Sequence, residues 1–245
     1  MPVASVRVQV GGPHVFYLHK VMDKLVLSTA RLMVREMSPS DLMPLAAMLQ
    51  DDGVMYAYGG AFSAAETEAW LDKQLRRYAE LGFGLWAVCL NDTGEMIGQC
   101  GITMQEYNDL TVPEIGYLFA RGHWHNGYAA EAAMACRCYG MANLHFNRLY
   151  SIIRITNVAS QKVAFRIGMR PEGTIVRHYR GQYMRHIVFS AGIDRCLFAW
   201  LHEPCFPCRA AFSGLFSHAG IHRPSSIARY LPKPFLPFHH MSCLP

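Results

Sequence analysis

The sequence predicts an α/β fold: a mixed, mostly antiparallel central sheet with a parallel strand–helix–strand core and helices on both faces. Strand-like and helix-like runs alternate through the middle of the chain, with a turn or cap signal at each boundary. Helical runs separate strands after Ser38, near 128–143 and after Asn157, and the one near 128–143 lies at the centre of the pattern. A helix between two strands is the connection a parallel pair requires, so one such unit sits within a sheet of hairpins.

Taken in order, "ARLMVREM" (Ala30 to Met37) alternates apolar and polar residues, as a half-buried strand does. Ser38, Pro39 and Asp41 then open a helix, with a serine cap, a proline in the first turn and an acid completing the capping box. Ser63 and Glu66 form a second box, followed by Trp70, Leu71, Leu75 and Tyr78 on one apolar stripe. "GLWAVCL" and "MIGQCGITM" flank the Asn91 to Gly94 turn of a hairpin. "EIGYLFA" is the next strand, and a helix runs from about Tyr128 to Asn143. "RLYSIIRI" (Arg148 to Ile155) is a strand, and "NVASQKVAFRIGM" a short helix closed by Gly168. Two last strands flank Arg180-Gly181. The order is strand, two helices, three strands, helix, strand, helix, two strands.

Composition bounds the function. The chain has 245 residues, 51% of them apolar, enough for one large domain with flanks. Its +5 charge is deceptive, because residues 22–195 carry seventeen bases and seventeen acids. The excess lies in the flanks, so no cationic face for a nucleic acid is expected. No uncharged apolar run reaches ~18 residues, which excludes a helical membrane span. The first 20 residues, with Gly11, Gly12, Pro13 and His14, lack the apolar core of a signal peptide. A reduced, cytoplasmic setting is therefore expected for the eight cysteines. Cys205 and Cys208 have metal-pair spacing but no second pair, and His123 and His125 have no third ligand nearby, so no metal is expected.

Three zones are expected: an irregular extension over 1–21, a folded domain over 22–195, and a poorly ordered tail over 196–245. The tail holds seven of thirteen prolines and five of twelve histidines, without helical or strand periodicity. It reads as sequence not selected to fold, such as a shifted reading frame, the alternative being a docking tail.

The stretch "RGHWHNGYAAEAAMAC" (Arg121 to Cys136) carries the strongest chemical signal. The first amides of a helix have no partner within it, and the helix dipole adds partial positive charge there. Such a turn suits an anion, and phosphate above all. Gly127 permits a dihedral and a close approach that other residues resist. Alanines at 129, 130, 132 and 133 keep the helix slim against the sheet, and Arg121, Asn126 and His125 stand by with polar side chains. The dinucleotide and triphosphate loop fingerprints are both missing. A phosphate ligand of another kind and an ordinary strand–helix turn both remain open.

Trp124 to Ala132, "WHNGYAAEA", resembles the "WGKGYATEA" acyl-CoA pyrophosphate loop of the GNAT N-acetyltransferases, in the branch of the ribosomal-protein alanine N-acetyltransferases. Four further stretches resemble that family in the same order. They are "LVLSTARLMVREM", "GQCGITMQEYNDLTVPEIGYLF", "NVASQKVAFRIGMRPEG" and "HYRGQYMRHIVFS", and the resemblance spans about Leu25 to Asp194. Two positions depart: His125 stands where the family has glycine, and Asn126 where it often has lysine.

The resemblance implies transfer of an acetyl group from acetyl-CoA to a primary amine by direct attack on the thioester, without metal. The phosphates would lie against Arg121, Trp124, His125, Asn126, Gly127, Tyr128 and Ala129. The acyl arm would run along Tyr117, Leu118 and Phe119, with an oxyanion donor near Leu118, and would meet Asn157. Glu114 is the candidate general base, and Ser160 and Tyr179 candidate proton donors to the departing sulfur. The bland readings are a solvated strand-edge acid, a helix cap at Asn157, and a core tyrosine. Met104, Tyr107, Tyr56, Tyr58 and Phe62 are candidates for the amine pocket. The acceptor would be a protein N-terminus, a small polyamine or an amino-bearing antibiotic, and the protein a monomer or homodimer. The alternative is a non-catalytic acyl-CoA-binding or partner-docking module of the same fold.

Overall fold

The computed structural model describes residues 25–192. The extension, the tail and the Cys205–Cys208 pair lie outside the described residues. Eight strands form one sheet in the order β1-β2-β3-β4-β5-β6-β8-β7. They are β1 (Leu25–Ser28), β2 (Leu32–Arg35), β3 (Leu85–Leu90), β4 (Met96–Tyr107), β5 (Leu110–Phe119), β6 (Arg148–Arg154), β7 (Arg170–Tyr179) and β8 (Gln182–Gly192). Every neighbouring pair is antiparallel except β5 and β6. That parallel pair is joined by helix α4 (Tyr128–Ala142), the strand–helix–strand core read from the sequence.

Pleating divides the apolar residues between two cores. On β3, Trp86 and Val88 join one cluster with Ala132, Ala133 and Cys136 of α4 and Val163 and Ala164 of α5 (Val158–Arg166). Ala87 and Cys89 join the other, with Leu45, Met48 and Leu49 of α1 (Leu42–Leu49) and Leu71 of α3 (Ala64–Leu81). Helices thus cover opposite faces. Both capping boxes form, Ser38 with Asp41 and Ser63 with Glu66. Among the described residues no helix is long and apolar enough to cross a membrane.

The structure departs from the expected element order twice. The opening strand is two short strands, β1 and β2, because Thr29 turns the chain: its hydroxyl accepts the Leu32 amide at 3.0 Å. A short helix, α2 (Asp52–Met55), follows α1, with the Asp51 side chain accepting the amides of Gly53 and Val54.

The slim face of α4 fixes how close its amino end comes to the sheet. Ala132 and Ala133 are wholly buried, and a Cβ on Gly140 would fall 2.6 Å from Ile102. Ala132→Leu should therefore overpack this seam and cost about 1–3 kcal/mol, read as a lower urea midpoint at unchanged slope.

Candidate active site

The sheet opens between β5 and β6. Their parallel register holds at a single point, Glu114 opposite Tyr150. Just beyond it, side chains bridge the strands: the Ser151 hydroxyl donates to the Ile115 carbonyl at 2.8 Å, and the Ile152 amide donates to Glu114 Oε1 at 2.9 Å. Further along, the Tyr117 hydroxyl reaches across, donating to the Ser160 carbonyl on α5 at 2.8 Å.

Which β5 amides face this opening follows from strand alternation. Ala120 donates its amide to Ile97 at the β4 side, and Leu118 lies opposite Gln99 in the same unbroken register. Backbone groups two residues apart point the same way, so the Leu118 amide faces β4. The Ile115 and Phe119 carbonyls are both engaged away from β4, the latter by Trp124 Nε1 at 2.7 Å. The amides of Tyr117 and Phe119 therefore turn toward the opening.

At the end of β5 the chain turns through residues 121–127 into α4. His125 and Gly127 have left-handed φ values of 64° and 83°, and α4 starts at Tyr128. Among the described residues, no acceptor takes the amides of residues 125 to 129; the next two, from Ala130 and Glu131, both go to the Gly127 carbonyl. Arg31 sets the orientation. Its Nη1 donates to the Asn126 carbonyl at 3.1 Å. In a trans peptide the following N–H points opposite to that carbonyl, so the Gly127 amide is turned away from Arg31. Glu131 holds Arg31 in turn, accepting from Nε at 2.7 Å, from the Arg31 amide at 3.1 Å and from the Thr29 hydroxyl at 2.6 Å. The Arg31 guanidinium also lies 4.6 Å from the Tyr128 ring centre. The pair is largely exposed and contributes little to stability; its effect is positional.

A cavity of about 480 Å³ adjoins the opening. It gathers Glu114, Tyr117, Leu118, Asn157, Ser160 and Tyr179 into one site, although they span β5, α5 and β7. Burial pushes the Glu114 carboxyl up to about 7, opposed by the Ile152 amide and by the charges of Arg177 and Arg77. Burial likewise pushes the Tyr58 phenol up to about 12, with Glu114 and Tyr179 adding to it, and raises that of Tyr117. Both hydroxyls stay protonated at neutral pH.

Asn157 caps α5, its Oδ1 accepting the Ser160 amide at 3.0 Å and the Tyr56 hydroxyl at 2.9 Å. Trp124 is a fastener: its indole is spent on Phe119 and its ring packs on the core. The Arg121 guanidinium lies against Gly53, where a Cβ would fall 1.6 Å from Nη2. Of the five side chains expected around the amine, Tyr58 lines the cavity. Met104 packs on the opposite face of β4, Phe62 lies edge-on to Trp70 at 5.7 Å, and Tyr107 tilts onto Tyr150 at 6.0 Å. The sequence reading missed Thr29, Arg31 and Glu131 as a brace, and Lys73, Arg77 and Arg177 in the cavity wall. Glu131 lay inside the motif, but nothing in the sequence ties it to Arg31 one hundred positions away.

The chain is similar to proteins known from their sequences and to solved structures. YkkB of Bacillus subtilis (strain 168), uncharacterized, is 41% identical over 153 residues, covering 62% of this chain and 89% of its own. YnaD of the same organism, an uncharacterized N-acetyltransferase, is 31% identical over 148 residues, covering 60% and 84%. The ribosomal-protein-S5-alanine acetyltransferase of Vibrio fischeri shares the fold at 17% identity and a TM-score of 0.58, over 69% of this chain and 96% of that one. The acetyltransferase (GNAT) domain family matches residues 31–170, which hold the open parallel pair and the amide-lined loop: the chain belongs to the GNAT family and is an acetyltransferase.

Proposed function

We propose that the protein transfers an acetyl group from acetyl-CoA to a primary amine, with the diphosphate held by the amides of residues 125 to 129. The observation that carries this reading is that run of partnerless amides at the head of α4, beside a sheet that opens next to it. His125 already adopts the left-handed backbone that glycine would supply, so the departure from the family motif leaves the loop geometry intact. That weakens one of the supports for a non-catalytic module, the others being Asn126 and the tail.

The acyl arm lies in the opening, along Tyr117, Leu118 and Phe119 and toward Asn157. The oxyanion donor is one of the two amides turned into the opening, Tyr117 or Phe119, rather than Leu118, which faces β4. Glu114, poised near neutrality, accepts the proton of the attacking amine through a water. The amine lone pair forms the C–N bond as the C–S bond breaks. The departing sulfur takes a proton from Ser160 or Tyr179, both of which line the same cavity. The branch of ribosomal-protein acetyltransferases is the kin this fold suggests, and a peptide N-terminus is one acceptor it admits.

Free thiol released from acetyl-CoA across a panel of amines tests the reading. Release that depends on both amine and enzyme supports it. Tight coenzyme A binding without release on any amine would leave only the module.

A further inference from the structure

The acceptor end of the cavity is cationic, and its cations are unspent. Lys73 and Arg77 from α3, Arg177 from β7 and Arg154 from β6 line it. Among the described residues, Glu114 is the one carboxylate in the lining. Neutral groups hold the arginines in place: Arg77 donates to Gln74 Oε1 at 3.1 Å, and Arg177 to Gln105 Oε1 at 3.2 Å and to the Glu106 carbonyl at 3.0 Å. Elsewhere Arg31, Arg35, Arg148 and Arg180 each pair with a carboxylate. Lys73, Arg77 and Arg177 thus face, among the described residues, one carboxyl, Glu114, and that excess of fixed positive charge suits an anion.

Resting on the acetyl-transfer reading, we infer that the acceptor is a small amine that also carries a carboxylate or phosphate, which Arg77, Arg177 and Lys73 bind while the amine faces Glu114. Two electrostatic effects run the same way. A polycation entering here meets like charges, which disfavours the polyamine and the amino-bearing antibiotic. An amine held among cations loses its proton more readily, which presents the neutral nucleophile that attack needs. Lys73 registers the crowding: burial lowers its pKa, and Arg77 and Arg76 lower it further. The groups facing Glu114 are Arg77, Arg177, Tyr58, Tyr117 and the Ile152 amide.

The test compares kcat/KM for matched acceptors with the full-length protein. β-Alanine is set against β-alaninamide and phosphoethanolamine against ethanolamine, with putrescine as the dication. The peptide source of the same charge is Ala-Glu-Ala-amide against Ala-Gln-Ala-amide. The anionic member of at least one pair should be favoured by tenfold or more, shrinking with added salt, and putrescine should be the poorest substrate. Which pair responds tells carboxylate from phosphate and free amine from peptide. Arg77→Gln and Arg177→Gln should bring the anionic-to-neutral ratio toward one, while Arg177→Lys, which keeps the charge, retains most of it. Thiol release that is as fast with neutral amines or putrescine, or a ratio that survives both glutamine variants, would overturn the inference and leave acetyl transfer standing. A panel on which nothing is acetylated would instead take down the acetyl-transfer reading, and this one with it.

Discussion

Glu114→Gln should lower kcat/KM by about 10²–10⁴-fold, the range of a positioned general base, while acetyl-CoA binding stays as it was. The substitution is nearly isosteric, and glutamine Oε1 still accepts the Ile152 amide that ties β5 to β6. The wild-type profile should rise with pH and level off above about 7, where burial has placed this carboxyl. In the variant that limb disappears, and the ionisation of the amine itself remains, near 7.7–8 for an α-amino group.

Stability supplies an independent readout with a definite sign. The folded protein holds the Glu114 proton up to about 7, the unfolded chain only to its ordinary 4.5. Between those values the native state binds more protons, so the wild type loses stability as pH rises through that window. Glutamine has no proton to lose, and the variant should be the more stable protein above pH 7. A variant within a few-fold of wild-type kcat/KM, with the rising limb intact, would remove Glu114 from the chemistry.

Legibility followed the range of the interaction. Both capping boxes, the Arg180-Gly181 turn and the left-handed Gly168 rest on contacts within four residues, and all were readable. The phosphate-loop reading also rested on local chemistry, since unpaired amides at a helix start need no distant partner. Met104 was misplaced because apolar character says which residues are inside but not which face of a doubly covered sheet they join. Which amides near Leu118 turn into the opening was hidden for a similar reason. Pleat direction along β5 depends on its register with β4, which the Asn108-Asp109 hairpin sets. The cation wall joins α3 to β7 across about a hundred residues, and a neutral overall charge for 22–195 hid it.

Gly127→Val should weaken acetyl-CoA binding by about 100-fold or more, since it attacks the cradle in two ways. A branched residue at φ of 83° is strained by at least 1–2 kcal/mol, so the backbone relaxes and turns its amide. Its Cβ would make ordinary contact with Arg31 at 3.6 Å, so the γ-methyls beyond it crowd the side chain that fixes the Asn126–Gly127 peptide. His125→Gly separates strain from ligand contact. Glycine fits the same left-handed dihedral at lower cost, so this variant should melt no lower than wild type. If the backbone amide is what the diphosphate meets there, it should also bind coenzyme A at least as well; a tenfold loss would assign the contact to the imidazole. Calorimetric titration with coenzyme A alone reads both variants without requiring turnover. Undiminished affinity in a folded Gly127→Val protein would mean that the amides heading α4 do not hold the diphosphate, and the placement of the thioester beside β5 would fall with them.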